Sequence, residues 1–392
     1  MKKALLLIVI FVSVLIGCSS NDDEINVDPI NCEFQPFLGT SGNVVQLNGN
    51  SVLLNGSITV TSTEPNCENP LILSQGFVYS TSIQPTIDNV VKEVDGETIT
   101  EIINDLETET EYFVRTFLST ETETYYGNQI SFIVENFFVG DVNLNSQNEV
   151  DDFGNNINNY SKIIGNLIIY SGGSSNPVVS LSALNKLTET TGHIRISNNN
   201  ELTGLNGLEN LTNIGEDISI IFNDSLINIS ALSGLTNLRG SLYVSSNNSL
   251  ESLNGLNNLT VIEGDLGIGG ASIVNLLPLS GLTNIGGDLI IDSSDILINL
   301  NGLENLTSIG GDLWIGYTSY PNSSLISLSG LENLISFDGS FKLINNPSLT
   351  DFCSLENLII SLINNGTEFG YSVYSNLYNP TLQDFLDGNC SI

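Results

Sequence analysis

One phrase, repeated about every two dozen residues, constrains this chain more than any other feature. Its clearest forms are Gly264-Asp265-Leu266-Gly267-Ile268, Gly287-Asp288-Leu289-Ile290-Ile291 and Gly311-Asp312-Leu313-Trp314-Ile315. Each follows a Leu-x-x-Leu-x-x-Leu-x-x-Ile run, such as Leu300, Leu303, Leu306 and Ile309. The leading position falls at Gly165, Gly192, Glu216, Gly240, Gly264, Gly287, Gly311 and Gly339, so the spacings are 27, 24, 24, 24, 23, 24 and 28 residues. A period of that size marks a stacked solenoid. One coil turns inward about seven Leu and Ile side chains, worth roughly 10–20 kcal/mol if fully buried. Ordering its ~24 backbones costs as much or more, so each coil needs neighbours.

Within a repeat, Leu-x-Ile has period 2 and predicts a short strand with Leu and Ile inward. The Leu-x-x-Leu-x-x-Leu run has period 3 and predicts an extended or 3₁₀-like return wall. Asn199, Asn223, Asn247 and Asn346 fall three residues after the inward strand residue, where an amide can bond the backbone of the turn. Gly172, Ala271, Ser294 and Thr318 stand at that place in the other coils. The Leu-x-Ile-x-x-Asn-x-x-Leu-x-x-Leu pattern resembles leucine-rich repeats. The fuller Asn-Leu-Thr-x-Ile-Gly-Gly-Asp-Leu phrase resembles receptor L-domains. That resemblance covers residues 138–390 and implies a right-handed parallel β-solenoid of about eight coils. For its ends, Asp141–Leu144 predicts a first strand, and Ser146 with Glu149 a capping box opening a helix to Phe153. Asn379-Pro380 predicts a last helix, stopping near Gly388.

Residues 1–17 are a charged start and a short apolar core, the pattern of a secretory signal. Its close, Leu15-Ile16-Gly17-Cys18, resembles the bacterial lipobox, which implies acylation of Cys18. The acidic tether at 18–33 opens Cys18-Ser-Ser-Asn-Asp-Asp-Glu24 and resembles the export tags of Bacteroidota-type surface lipoproteins. The implied address is a lipid anchor in the outer membrane, with the chain facing outward. A spacer for a periplasm-facing lipoprotein has the same composition.

Formal charge is −35, from 44 acidic and 9 basic residues. Two of the nine, Lys2 and Lys3, lie in the leader, and the rest are scattered singly from Lys92 to Lys342. No basic patch can be assembled, which excludes nucleic acid as a partner. Besides Cys18 there are Cys32, Cys67, Cys353 and Cys390. They fall into two local pairs, predicting disulfides Cys32–Cys67 and Cys353–Cys390 in an oxidising compartment. Zinc is the alternative, but there is no Cys-x-x-Cys and His193 is far from both pairs.

From 34 to 135 the pattern changes to short alternating segments, Val52–Val60, Gly76–Tyr79, Tyr112–Phe117 and Ile130–Ile133, which predict a β-sandwich. Leu106, Thr110 and Tyr112 followed by Phe-Val-Arg resemble the fibronectin type III segment that carries a tyrosine corner. Gly76-Phe-Val-Tyr-Ser80, Pro85-Thr-Ile87 and Tyr126-Gly127 before Ile130-Ser-Phe132 resemble the variant of secreted Bacteroidota proteins. By that resemblance the Tyr112 hydroxyl anchors a corner. The domain is then a binding module or a spacer lifting the solenoid, residues 136–392, off the membrane.

Several places invite chemistry. Asp141, Asn143, Asn145, Glu149 and Asp152 imitate a calcium loop, but Ser146 stands where such a loop needs glycine, so an end cap is expected. The stacked Asp265, Asp288 and Asp312 are expected to bond their own backbone in tight turns. His193, alone, is expected to be an outward loop variant. No metal or other cofactor is implied, and a monotonous repeat argues against an enzyme. The column between each inward Leu and Ile does vary: Ile168, Arg195, Ser219, Tyr243, Gly267, Ile290, Trp314, Lys342. With nearby Tyr170, Tyr317 and Tyr320 it supplies residue types that dominate binding hot spots. The candidate ligand face is therefore Tyr170, Arg195, Tyr243, Ile290, Trp314 and Lys342. The expected function is a surface lipoprotein whose solenoid recognises a protein ligand or mediates adhesion. Glycan capture and a purely structural envelope spacer are the alternatives.

Overall fold

The computed structural model describes residues 34–60, 67–155, 160–270 and 272–392. The expected signal peptide, the lipidation site Cys18, the acidic tether and Cys32 lie outside the described residues.

Residues 37–133 form two antiparallel sheets. In one, β3 (Ser51–Thr59) pairs with β1 (Phe37–Thr40), β2 (Val45–Asn48) and β6 (Thr98–Ile103). In the other, β4 (Ile72–Ser80) lies between β5 (Val90–Glu93) and β7 (Glu111–Thr120), and β7 also takes β8 (Thr124–Tyr126) and β9 (Ile130–Ile133). Alternate residues of both sheets meet in one core: Val52, Leu54, Ile58, Ile99 and Ile103 from the first, Phe77, Tyr79, Val114 and Leu118 from the second. The Tyr112 hydroxyl accepts the Glu107 N–H at 3.1 Å. That bond holds the corner, and the Tyr112 ring packs against Phe132.

The rest is a parallel β-solenoid. Its long sheet has ten parallel strands: Val142–Leu144, Leu167–Tyr170, Ile194–Ser197, Ile218–Ile221, Leu242–Ser245, Leu266–Gly269, Leu289–Asp292, Leu313–Ile315, Phe341–Ile344 and Tyr371–Tyr374. Period 2 works as expected: Leu289, Ile291, Leu313 and Ile315 are fully buried, and their outward neighbours Ile290 and Trp314 are half-buried. Two shorter parallel sheets form a second wall from segments such as Val261–Ile262, Asn284–Ile285 and Ser308–Ile309, the Thr-x-Ile end of each phrase. The Leu-x-x-Leu run makes the third wall, with 3₁₀ turns at Ser182–Leu184, Ser230–Gly234, Leu277–Leu279 and Cys353–Leu355. Leucines 300, 303 and 306 are fully buried in one core that runs from Val142 to Cys390.

Buried asparagines tie the coils together at the C-terminal ends of the long strands. Asn223 Oδ1 accepts the Asn199 N–H and Nδ2, both at 3.1 Å, while Asn223 Nδ2 donates to Ile196 O at 3.0 Å. Asn247 and Asn346 repeat the arrangement. The first coil uses Ser171 rather than Gly172, and the penultimate repeat uses Asn322 rather than Thr318, because extra residues precede the ladder there. Asn376 extends the ladder into the last coil. Ala271 lies outside the described residues.

The caps differ in part from expectation. A helix spans Gln147–Asn155, with the Glu149 N–H on Ser146 Oγ and Glu149 Oε2 accepting the Asn145 N–H. At the other end Thr381, not Asn379, caps the last helix, Leu382–Leu386, through a reciprocal box with Asp384. Asn379 instead closes the asparagine ladder, accepting from the Asn376 N–H at 3.0 Å. A helix at Glu356–Asn364, hidden in a continuing leucine pattern, buries Leu358 and Ile359. Cys353 and Cys390 form the expected disulfide, with Cα atoms 5.0 Å apart. Cys67 is disulfide-bonded as well.

Candidate functional site: the two edges of the long sheet

At the N-terminal ends of the strands the Gly-Asp dipeptides form a second ladder. Asp265 Oδ1 accepts the Asp288 N–H at 2.8 Å, Asp288 Oδ1 the Asp312 N–H at 2.7 Å, and Asp312 Oδ1 the Ser340 N–H at 2.6 Å. The aspartates therefore bond the next coil and not their own turns. The preceding glycine follows from this contact. A Cβ at Gly287 or Gly311 would lie 2.1 Å from the carboxylate of the coil before it. Asp217, Ser241, Asn166 and Asp141 continue the ladder toward the first strand. His193 sits on it half-buried, its N–H on Asn166 Oδ1 and its Nδ1 3.9 Å from Glu216.

The varied column is in one register across the sheet: Ile168, Arg195, Ser219, Tyr243, Gly267, Ile290, Trp314 and Lys342 are successive cross-strand partners. Tyr170 and Trp314 are six strands apart, roughly 29 Å at ~4.8 Å per strand, so the six candidates do not form one pocket. Arg195 is exposed and its Nε donates to Ser197 Oγ. Tyr243 is not a free tip. Its ring lies over Gly267, where a Cβ would meet it at 2.5 Å, and its hydroxyl donates to Asp265 Oδ2 at 2.5 Å. Burial, and then that carboxylate, push the Tyr243 hydroxyl up to about 12.

Ile290, Trp314 and Lys342 do come together. The Lys342 ammonium lies 4.5 Å from the Trp314 ring centroid and pairs with the Asp312 carboxylate. Burial raises the Asp312 carboxyl, but Lys342 and the Ser340 N–H outweigh it and hold it below the usual carboxylate range. The Trp314 Nε1 is enclosed and has no hydrogen-bond partner. Trp314 is half-buried because a small hairpin follows it. Gly316 turns the chain at φ 79, Tyr317 and Tyr320 exchange two backbone hydrogen bonds at 3.1 and 3.0 Å, and Asn345 Nδ2 holds the Tyr317 and Thr318 carbonyls. Tyr317 packs on Trp314 at 5.3 Å and Tyr320 stacks on Tyr317 at 6.2 Å. This hairpin accounts for the 28-residue spacing in the repeat.

The C-terminal edge carries a feature that periodicity did not reveal. The residue before most ladder positions turns through the left-handed region: Asn198, Phe222, Ser246, Ser293, Asn345 and Ser375 have φ between 50 and 62, and Pro321 before Asn322 is an exception. Asn and Ser suit that turn, and a phenylalanine there is an outlier. Phe222 nevertheless holds φ 56. In the hairpin coil the Ser293 N–H reaches the Tyr320 carbonyl as the Phe222 N–H reaches that of Ser245, so Pro321 stands at the place of Phe222 and the tyrosines lie just before it. Among the described solenoid residues the exposed aromatics are Tyr170 (41%), Phe222 (51%), Tyr317 (41%), Tyr320 (57%) and Tyr374 (48%). All five lie on this edge. Sequence reasoning missed Phe222 and Tyr374; the usable signal was a Phe where sibling coils carry Asn, Ser or Gly. No family model, curated protein or solved structure matches the chain.

Proposed function

We propose that this chain is a non-enzymatic recognition protein whose solenoid head binds a macromolecular ligand across the outward face of the long sheet. The observation that carries this reading is the contrast between scaffold and surface. Two polar ladders and a leucine-rich core recur from coil to coil, while backbone exceptions at Phe222 and at the Tyr317–Tyr320 hairpin set aromatic rings outside. A regular wall with assorted tips is how solenoids present binding surfaces. The carboxylates of Asp217, Asp265, Asp288 and Asp312 are held by main-chain N–H groups, which supports a structural use for them over an acid–base one. The lipobox-like leader supports an acyl anchor at Cys18 in the outer membrane, with the sandwich as the stalk.

Trp314 is the only tryptophan and touches Tyr317 and Lys342, so its emission reports on this face. The test is a fluorescence titration of the mature protein with a panel of matrix proteins and polysaccharides. A saturable change with one ligand class is the expected result. Saturation with none of them, by fluorescence and by a co-sedimentation assay alike, would leave the envelope spacer as the better reading.

A further inference from the structure

Resting on that recognition reading, we propose that the aromatic edge of the long sheet binds an extended, uncharged polysaccharide. The positions are the first argument. Numbering the ten strands in order, Tyr170 ends the second, Phe222 follows the fourth, the Tyr317–Tyr320 hairpin follows the eighth and Tyr374 ends the tenth. The gaps are two, four and two strands, so each is a multiple of roughly 10 Å at ~4.8 Å per strand. That is about the reach of two sugar residues in an extended chain. Rings at such intervals meet equivalent faces of a repeating polymer. A globular protein partner instead favours anchors gathered at the centre of a compact patch.

The backbone is the second argument. Phe222 stands in a left-handed turn that Asn, Ser or Gly fills elsewhere, and the tyrosine hairpin is an insertion into an otherwise regular coil. The Phe222 ring is not required by the ladder: Asn223 donates to the Ile196 carbonyl as Asn247, which follows Ser246, donates to that of Ile220. Two independent departures from the repeat deliver the same chemistry, a flat exposed ring, to the same edge. The third argument is charge. A chain of net charge −35 repels anionic polymers; of the two cations in the outward column, Lys342 is neutralised by Asp312 at the opposite edge, and the exposed Arg195 is held on Ser197 Oγ. The amphipathic rings of Tyr can also donate a hydroxyl to a sugar while the face stacks.

Native affinity electrophoresis of the full chain in detergent tests this, with hydroxyethylcellulose, arabinoxylan, galactomannan and pullulan cast separately into the gel, and alginate as the anionic control. Retardation by at least one neutral polymer and none by alginate is expected. Phe222→Asn, Tyr320→Ser and Tyr374→Ser, each at an exposed position, should each weaken retardation about three- to tenfold, with circular dichroism unchanged. Retardation that none of the three variants diminishes would overturn the edge as the site. If no neutral polymer retards the chain while a protein ligand saturates Trp314 fluorescence, the polysaccharide assignment falls and the recognition reading stands. If neither is seen, both fall.

Discussion

The two ends of the long strands do the same structural work with opposite side chains. At the C-terminal ends the ladder is neutral amide, and Asn199, Asn223, Asn247 and Asn346 have no exposed surface. At the N-terminal ends it is carboxylate, and Asp265, Asp288 and Asp312 remain half-exposed. A buried amide both donates and accepts, so it satisfies a turn without water. A carboxylate can only accept and needs solvent or a partner for its second oxygen. For Asp265 that partner is Tyr243 and for Asp312 it is Lys342. The difference predicts that the amide edge is where the fold is least tolerant, although that same edge bears the exposed rings.

The amide ladder should give the largest effect. Asn223→Ala takes the acceptor from the buried Asn199 main-chain N–H, one of two acceptors from Asn199 Nδ2, and the amide donor from the Ile196 carbonyl. A loss of about 3–5 kcal/mol is expected in urea unfolding; a loss below ~1 kcal/mol would mean that the ladder is decorative. Next comes the staple of the last coil. Replacing Cys353 and Cys390 together by Ser, which opens a 37-residue separation and leaves the Cys67 disulfide intact, should cost about 2–4 kcal/mol, read as a lower urea midpoint with the sandwich transition unmoved.

The carboxylate edge should be milder. Asp288→Ala removes one half-exposed acceptor and is expected to cost about 1 kcal/mol, with Asp288→Asn close to neutral because an acceptor remains. Equal, large losses for both would show that charge, rather than the hydrogen bond, holds this edge. The smallest effect concerns Tyr243, whose hydroxyl is raised to about 12 in the folded protein. A folded pKa above the unfolded value stabilises fully below the unfolded pKa, near 10, and the contribution is lost as pH rises through about 12. Tyr243→Phe should therefore flatten the stability loss between pH 10 and 12 and remove one late-titrating phenol from the ultraviolet titration. An unchanged titration would place the late phenol elsewhere.

Much of this architecture was legible because it repeats. Leu-x-Ile at a fixed spacing fixes which residues are inward, and eight copies leave no choice of register. The Asn199, Asn223, Asn247 and Asn346 ladder, the Tyr112 corner and the Cys353–Cys390 pair were visible for similar reasons of pattern or proximity. What escaped were the departures from period. The hairpin after Trp314 shifts the ladder from Thr318 to Asn322, and a simple count along the repeat cannot see a loop that returns to its starting point. The helix at Glu356–Asn364 uses the same Leu and Ile spacing as the wall it replaces. Phe222 escaped because the sequence does not print a φ angle, and only the turn shows that a phenylalanine is out of place. Of the six residues expected to form a ligand face, Ile290, Trp314 and Lys342 are neighbours, Tyr243 is pinned to Asp265, and Tyr170 and Arg195 stand far away along the sheet.

The central claim is that departures from the repeat serve a ligand and not the fold, and one measurement addresses it without knowing the ligand. It is the equilibrium unfolding of Phe222→Asn beside the unchanged protein, since Asn198 and Asn345 already occupy the same turn at φ 57 and 59. Removing an exposed ring from a left-handed turn should leave stability equal or raise it by about 0.5–1 kcal/mol. A loss of more than ~1 kcal/mol would show Phe222 to be part of the scaffold and contradict the account.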